Sequence, residues 1–290
     1  THLVSQLARR HVAVALSGDG GDELFCGYRR YLITQRLWSR ISAVPMPLRR
    51  AASSAITAIP QASWNRLAGR AGRVLRLGRR FNRPGEKLHK GARAMCGPNA
   101  DALYLRTVSQ WSDPGPLVPG SVEPHTVLTG AATSLLALPD VPRMMAYDLL
   151  TYLPDDILVK VDRAAMAVSL ETRVPMLDHR VVEFAWQLPA AYKLRNGVSK
   201  WALRQVLYRH VPQALLERPK MGFGVPIDSW LRGPLRDWAE ALIDPQRIAD
   251  EGLLASAPIR HAWQEHLSGR SNLQYPLWNV LMFQAWLAAQ

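Results

Sequence analysis

The sequence predicts a mostly helical chain built around one buried strand of the parallel type. Three observations lead there. Val12, Ala13, Val14, Ala15 and Leu16 form an apolar run without polar alternation, the pattern of a strand covered on both faces. Ser17-Gly18-Asp19-Gly20-Gly21-Asp22-Glu23 follows directly, at the carboxyl end of that strand, where open α/β sheets place their ligands. The rest of the chain carries its apolar residues at helical spacing, and no second run of this kind appears.

Taken in order, Leu3, Val4, Leu7 and Ala8 place a helix over Thr1 to Arg10, which feeds the strand. A strand with two apolar faces needs parallel neighbours reached by crossovers, so its sheet partners are expected upstream of this sequence. From Arg36 to about Ala94 the pattern is helical, broken at Pro45, Pro47, Pro60 and Pro84. Arg66, Arg70, Arg73, Arg80 and Lys87 fall near one face there. Arg76, Arg79, Arg83, Lys90 and Arg93 lie close by, with Glu86 the only acid. This basic stretch reads as a solvated or partner-facing surface, with anion binding as the alternative; it lacks the aromatic interleaving of single-strand binders. Residues 97 to 140 read as a long loop with a short helical piece near Ala102 to Trp111.

Asp140 and Pro142 mark a helix start, with Asp140 as cap, and that helix ends before Pro154. Asp155 opens the next helix, whose Asp156, Lys160 and Arg163 share one face at i, i+4, i+7. Glu171, Arg173 and Asp178 sit among Leu170, Val174, Met176 and Leu177 in a turn, as partly buried, paired charges. Ser199 is the expected cap of a helix beginning at Lys200, a cation in a first turn that the helix dipole disfavours. Lys220-Met-Gly-Phe-Gly-Val-Pro226 is a second basic, glycine-containing loop, and Trp230, Trp238, Trp263, Trp278 and Trp286 are expected in the core of the C-terminal helices.

The loop after the strand has the chemistry of a phosphate site. Glycines at 18, 20 and 21 allow positive φ and close approach of a ligand, and free amides in such a turn cradle anions. Asp19, Asp22 and Glu23 add hard oxygen donors suited to magnesium beside phosphate. Composition narrows the class. The chain has 290 residues, 48% of them hydrophobic, enough for a sizeable core. No run of about 18 apolar residues suggests a membrane span, and no signal-peptide pattern is seen. Two cysteines, Cys26 and Cys96, argue against a disulfide framework or a zinc cluster, and the histidines show no metal-ligand spacing. The expected compartment is the reducing cytoplasm. The net charge of +13 is compatible with nucleic acid, but no nucleic-acid motif accompanies it.

LSGDGGDELFCGYRRY closely resembles the corresponding block of glutamine-dependent asparagine synthetases and their glycan-modifying relatives. Two further blocks stand in the same order: Asp155 to Asp178, and Lys200 to Leu231. The resemblance implies an α/β, adenine-nucleotide-hydrolase-like (pyrophosphate-loop) domain, of which residues 1–290 would be the C-terminal part. The N-terminal glutaminase domain and the SGGxDS loop are not in this sequence. It implies ATP and Mg2+ as cofactors, a carboxylate substrate (aspartate, or a sugar acid of a polysaccharide) and ammonia from glutamine. The expected chemistry is adenylation of the carboxylate followed by amide formation.

Carried over position by position, Ser17 and Gly18 would contact nucleotide and Asp22 would hold magnesium. Asp19, where many relatives have Glu, would handle the ammonia nucleophile. Lys200 would stabilise phosphate charge, and Arg163 and Arg173 would touch substrate or phosphate. Cys26 stands where Gly or Ala is common and is given no chemistry. A non-catalytic remnant that binds a partner, and a homodimer, stay open at this point, and the isolated chain is expected not to make asparagine.

Overall fold

A computed structural model describes residues 1–60, 63–68, 84–111, 113–130, 133–217 and 224–290. The chain divides into two compact units, Thr1–Arg40 with His125–Lys220, and Ile41–Pro124 with Met221–Gln290. Helix dominates both, as the sequence led us to expect.

In the first unit, strand β1 (Val14–Leu16) pairs in parallel with β2 (Glu171–Arg173), Val14 opposite Glu171 and Leu16 opposite Arg173. Two amides lengthen the ladder: Glu171 N donates to Ala13 O at 3.0 Å and Ser17 N to Arg173 O at 2.8 Å. Two expectations are corrected here. The strand is not buried: Val14 is 39% and Leu16 73% exposed. Among the described residues the sheet has two strands, with β2 the neighbour of β1. A parallel partner also exists within the sequence. It escaped notice because β2 is three residues long, Glu-Thr-Arg, and contributes backbone hydrogen bonds rather than an apolar face.

The opening helix, His2–Arg9, forms as expected, with Leu3, Val4 and Leu7 exposed. After β1, a short helix (Gly21–Leu24) starts from Gly20 in the left-handed region (φ +82°). It buries Leu24 and Phe25 against Ala185, with Leu149, Met176, Trp186 and Leu203 around them. That burial fixes the loop above it, since a buried Leu or Phe is stabilised by about 1.5–3 kcal/mol.

The helix Asp140–Leu150 starts at its expected cap, and the true N-cap lies one residue earlier. Pro139 occupies the N-cap, and Asp140 lies inside the helix, held by Arg143 Nη2 at 2.7 Å. Leu153–Leu158 then forms a π-helix, which runs into the α-helix Val159–Met166. Asp155 therefore does not open a helix. The wider π turn also breaks the i, i+4, i+7 geometry assumed for Asp156, Lys160 and Arg163. All three are exposed, and no ion pair joins them. Glu171, Arg173 and Asp178 are paired but not buried: Arg173 Nε meets Glu171 Oε1 at 2.7 Å with side chains 65% and 54% exposed, and Asp178 holds Arg180.

Strands β3 (Leu194–Arg195) and β4 (Val198–Ser199) form a hairpin closed by Asn196 (φ +52°) and Gly197 (φ +79°). Two positive φ angles make this the turn whose twist suits a two-residue hairpin, and Asn-Gly is its preferred spelling. Ser199 lies in β4 and caps nothing by its side chain. The helix Trp201–Leu207 has Lys200 at its N-cap with φ +55°.

In the second unit, the C-terminal helices (Ile227–Arg232, Arg236–Leu242, Pro245–Glu251, Ser256–Leu267 and Gln274–Leu287) enclose a core that includes Leu231, Ile243, Ile259, Trp263 and Leu281. Of the five tryptophans expected inside, Trp263 is fully buried and Trp278 packs on the core. Trp230, Trp238 and Trp286 are 39%, 37% and 57% exposed, because large amphipathic rings need bury only one face. Within 97–140 the helix Ala100–Val108 is capped by Asn99, which accepts from Ala102 N at 2.9 Å. Arg49 Nη1 donates to the carbonyls of Met95 and Gly97, neutralising the end of the helix Pro84–Met95. Of the basic stretch, Arg70, Arg73, Arg76, Arg79, Arg80 and Arg83 and the side chains of Lys87 and Lys90 lie outside the described residues, as do 218–223 of the second glycine loop.

Candidate active site

The site is built in the first unit where β1 ends. Ser17 is the last residue tied to the ladder, and its hydroxyl donates to Asp19 Oδ2. Its oxygen also accepts from Asp19 N at 3.4 Å. The chain then turns at Gly20, the loop glycine with positive φ. Leu177 Cδ2 lies 2.5 Å from where its Cβ would be, so a side chain here would have to displace Leu177 as well as adopt an unfavourable backbone. Gly18 and Gly21 do not use positive φ, a correction to the reading of all three. Gly18 has no heavy atom within 4 Å of where a Cβ would lie, which leaves space at the loop surface.

Asp22 lies in the first turn of the helix Gly21–Leu24. Lys200 Nζ stands 3.0 Å from Asp22 Oδ1, with side chains 30% and 23% exposed. The contact is ionic rather than a directed hydrogen bond, for that carboxylate oxygen is buried and accepts none. Main-chain contacts fix both partners: Lys200 N donates to Phe25 O at 3.0 Å, and Gly27 N to Asp22 O at 2.7 Å. A Cβ on Gly27 would overlap Asp22 Oδ1 and Lys200 Cε, so glycine is what lets the pair close.

Among the described residues no three His, Cys, Asp or Glu side chains converge for a metal. An all-protein cage is therefore not what this loop offers. Magnesium beside phosphate commonly uses one or two carboxylates; Asp22 Oδ1 is taken by the Lys200 ammonium, so Oδ2 is the oxygen Asp22 has for that lesser role. Glu23 does not. It is 1% exposed, turned inward, and its Oε1 accepts from Tyr28 OH at 2.7 Å. Burial raises its carboxyl above the usual range, against the lowering effect of the Tyr28 hydrogen bond. The expectation that Glu23 joins the oxygen donors is corrected.

The structure thus brings Lys200 to Asp22, and Ser17 to Asp19. Arg173 reaches the loop only through its carbonyl, its guanidinium being held by Glu171. Arg163 is exposed on the helix Val159–Met166. One cluster beside the loop went unread in the sequence. Arg30 lies over the rings of Tyr28 (3.9 Å) and Tyr152 (4.8 Å), and its Nη2 donates to Asp148 Oδ2 at 2.5 Å. Tyr31 OH donates to the same carboxylate oxygen, which is nearly fully buried. The Gly-Tyr-Arg-Arg-Tyr spelling was the available signal. Asp148, a lone acid on the buried face of Asp140–Leu150, was its missing partner.

Comparison with known proteins decides the family. The Asparagine synthase family model matches residues 1–288. This chain belongs to the asparagine synthase family. A Mycobacterium tuberculosis protein, provisionally named a glutamine-hydrolyzing asparagine synthetase, is 36% identical over 287 residues, covering 98% of this chain and 40% of its own length. Asparagine synthetase (glutamine-hydrolyzing) 1 of Bacillus subtilis is 28% identical over 285 residues, covering 98% of this chain and 42% of its own. The chain therefore spans about two fifths of the curated relatives it matches along its length. No solved structure matches it. The asparagine synthase match runs through every residue of the site, from Ser17 to Lys200.

Proposed function

We propose that this chain carries the lysine-bearing half of an ATP-dependent, amide-forming ligase site that acts on aspartate. The observation that carries the reading is the Asp22–Lys200 pair at the end of β1. A carboxylate and an ammonium from distant parts of the chain meet where a nucleotide-binding loop turns, in a member of a family whose relatives are named for amide synthesis. In this reading Ser17 and Gly18 border the nucleotide. Asp22 would hold the magnesium that accompanies ATP, and the metal would supply positive charge beside the phosphates. Lys200, kept in place by Asp22 and by its own amide bond to Phe25, offers its ammonium to the phosphate as the aspartate carboxylate attacks to form the acyl-adenylate. Asp19, oriented by Ser17, receives a proton from ammonia as the amide forms and AMP leaves. Arg163, exposed and in no ion pair among the described residues, is free to meet substrate or phosphate, and Arg173 would have to leave Glu171 to do so.

In this reading the site also needs the SGGxDS segment that the family resemblance implies, and the residues present here bind nucleotide but turn it over poorly. The test uses the purified chain with ATP, magnesium, aspartate and ammonium. Saturable, magnesium-dependent ATP binding that weakens in Asp22→Asn, with negligible pyrophosphate release, is the expected result. Robust turnover would overturn the incompleteness. Absence of both binding and turnover would overturn the ligase reading.

A further inference from the structure

Cys26 precedes the glycine that packs on Asp22 and Lys200, and it lines a cavity of about 560 Å³ that none of the site residues above enters. The size is that of a small-ligand pocket. The walls are apolar, formed by Leu138, Val141, Trp186 and Leu188 among others. Two buried groups bring polarity to it. Cys26 is 1% exposed, and burial pushes its thiol up to about 11, so it is neutral at ordinary pH. Lys193 is 6% exposed; its Nζ stands 4.8 Å from the centre of the Trp186 ring, and no carboxylate pairs with it among the described residues. Asp140, which also lines the cavity, is engaged by Arg143 at 2.7 Å.

A cation held in an apolar wall without a counter-anion is costly. The ring face offsets part of that cost. Desolvation accordingly lowers the Lys193 pKa. What the cavity is missing is one negative charge, on a body that suits apolar walls. Gln35 is the one further uncharged amide side chain that lines it, too few donors for a doubly charged phosphate.

We propose that this cavity is a binding site for a small carboxylate with an apolar body. The carboxylate is taken by the Lys193 ammonium, and the body lies against Trp186, Leu138, Leu188 and Val141. The probes are hexanoate, its neutral isostere hexanamide, and hexylamine, titrated calorimetrically into the full chain. Hexanoate binds one site, hexanamide binds at least about tenfold more weakly for want of a charge-assisted hydrogen bond, and hexylamine does not bind. Lys193→Met, checked for a cooperative urea transition, abolishes the preference for hexanoate over hexanamide. Leu138→Trp, which fills the cavity, weakens both. The proposal is overturned if hexanoate binds no better than hexanamide, if Lys193→Met keeps the preference, or if hexanoate shows no saturation by about 10 mM. Should Lys193→Met not fold, the hexanoate-to-hexanamide ratio and the Leu138→Trp result decide.

Discussion

Lys200 is fastened to the Asp22 segment twice: its ammonium stands 3.0 Å from Asp22 Oδ1, and its amide donates to Phe25 O at 3.0 Å. The second contact sets the position of the backbone, so the ammonium is held near the loop even when its counter-ion changes. The hairpin that delivers it, with Asn196 and Gly197 both at positive φ, ends one residue before. Lys200 itself has φ +55°, a conformation that disfavours most side chains by roughly 1–2 kcal/mol. The local strain buys the placement of the ammonium.

Lys200→Ala should weaken binding of magnesium–ATP to the chain by about ten- to a hundredfold, the range of a charge-assisted hydrogen bond. Stability should change by no more than about 1 kcal/mol, since the pair is partly exposed. Isothermal titration and urea unfolding separate the two effects. Unchanged nucleotide affinity would remove Lys200 from the site.

Gly27→Ala should act on the same pair without touching either charge. The added methyl overlaps Asp22 Oδ1 and Lys200 Cε, so the pair must part or the turn must shift, at about 1–3 kcal/mol. Gly27 is not among the positive-φ residues, so the cost is steric rather than conformational. The expected signature is a lowered urea midpoint together with a loss of nucleotide affinity like that of Lys200→Ala. Wild-type values for both would mean that the turn has slack.

Glu23 gives stability a pH dependence whose sign can be worked out. Its folded pKa is raised by burial, so the folded chain binds that proton more tightly than the unfolded chain. Its contribution is fully present below the unfolded value near 4.3 and is lost as pH rises through the folded value. Glu23→Gln should flatten that part of the profile. Tyr28→Phe, which strips the buried carboxylate of its phenol donor, should cost about 1–3 kcal/mol at pH 8 and less at pH 4. Urea unfolding at the two pH values checks both; an equal loss at each would show that Glu23 does not carry the charge.

The two cysteines should differ sharply in reactivity. With its thiol buried and pushed up to about 11, Cys26 should resist an aromatic disulfide reagent at pH 8 in the folded protein. Cys96, partly exposed, should react first, and Cys26 only on unfolding. Fast reaction of both thiols in native buffer would contradict the burial of Cys26.

Local signals in the sequence were sufficient for the helical character, for the strand–loop–helix order around Ser17–Glu23, and for the family, because each rests on neighbouring residues. The glycine needed at 20, the aromatic–arginine cluster at 28–31 and the Asn-Gly turn at 196–197 were also written there, although the last two were not read. What only the tertiary structure decided depends on residues far apart. It found the partner of β1 in Glu171–Arg173, a segment with no apolar pattern, because backbone pairing places no demand on side chains. It turned Glu23 inward, to Tyr28, and left Asp22 to face Lys200, although both acids sit side by side in an acidic motif. Composition cannot distinguish such neighbours. On a short helix one side chain points to the core and the next to Lys200, and which is which depends on what packs beneath.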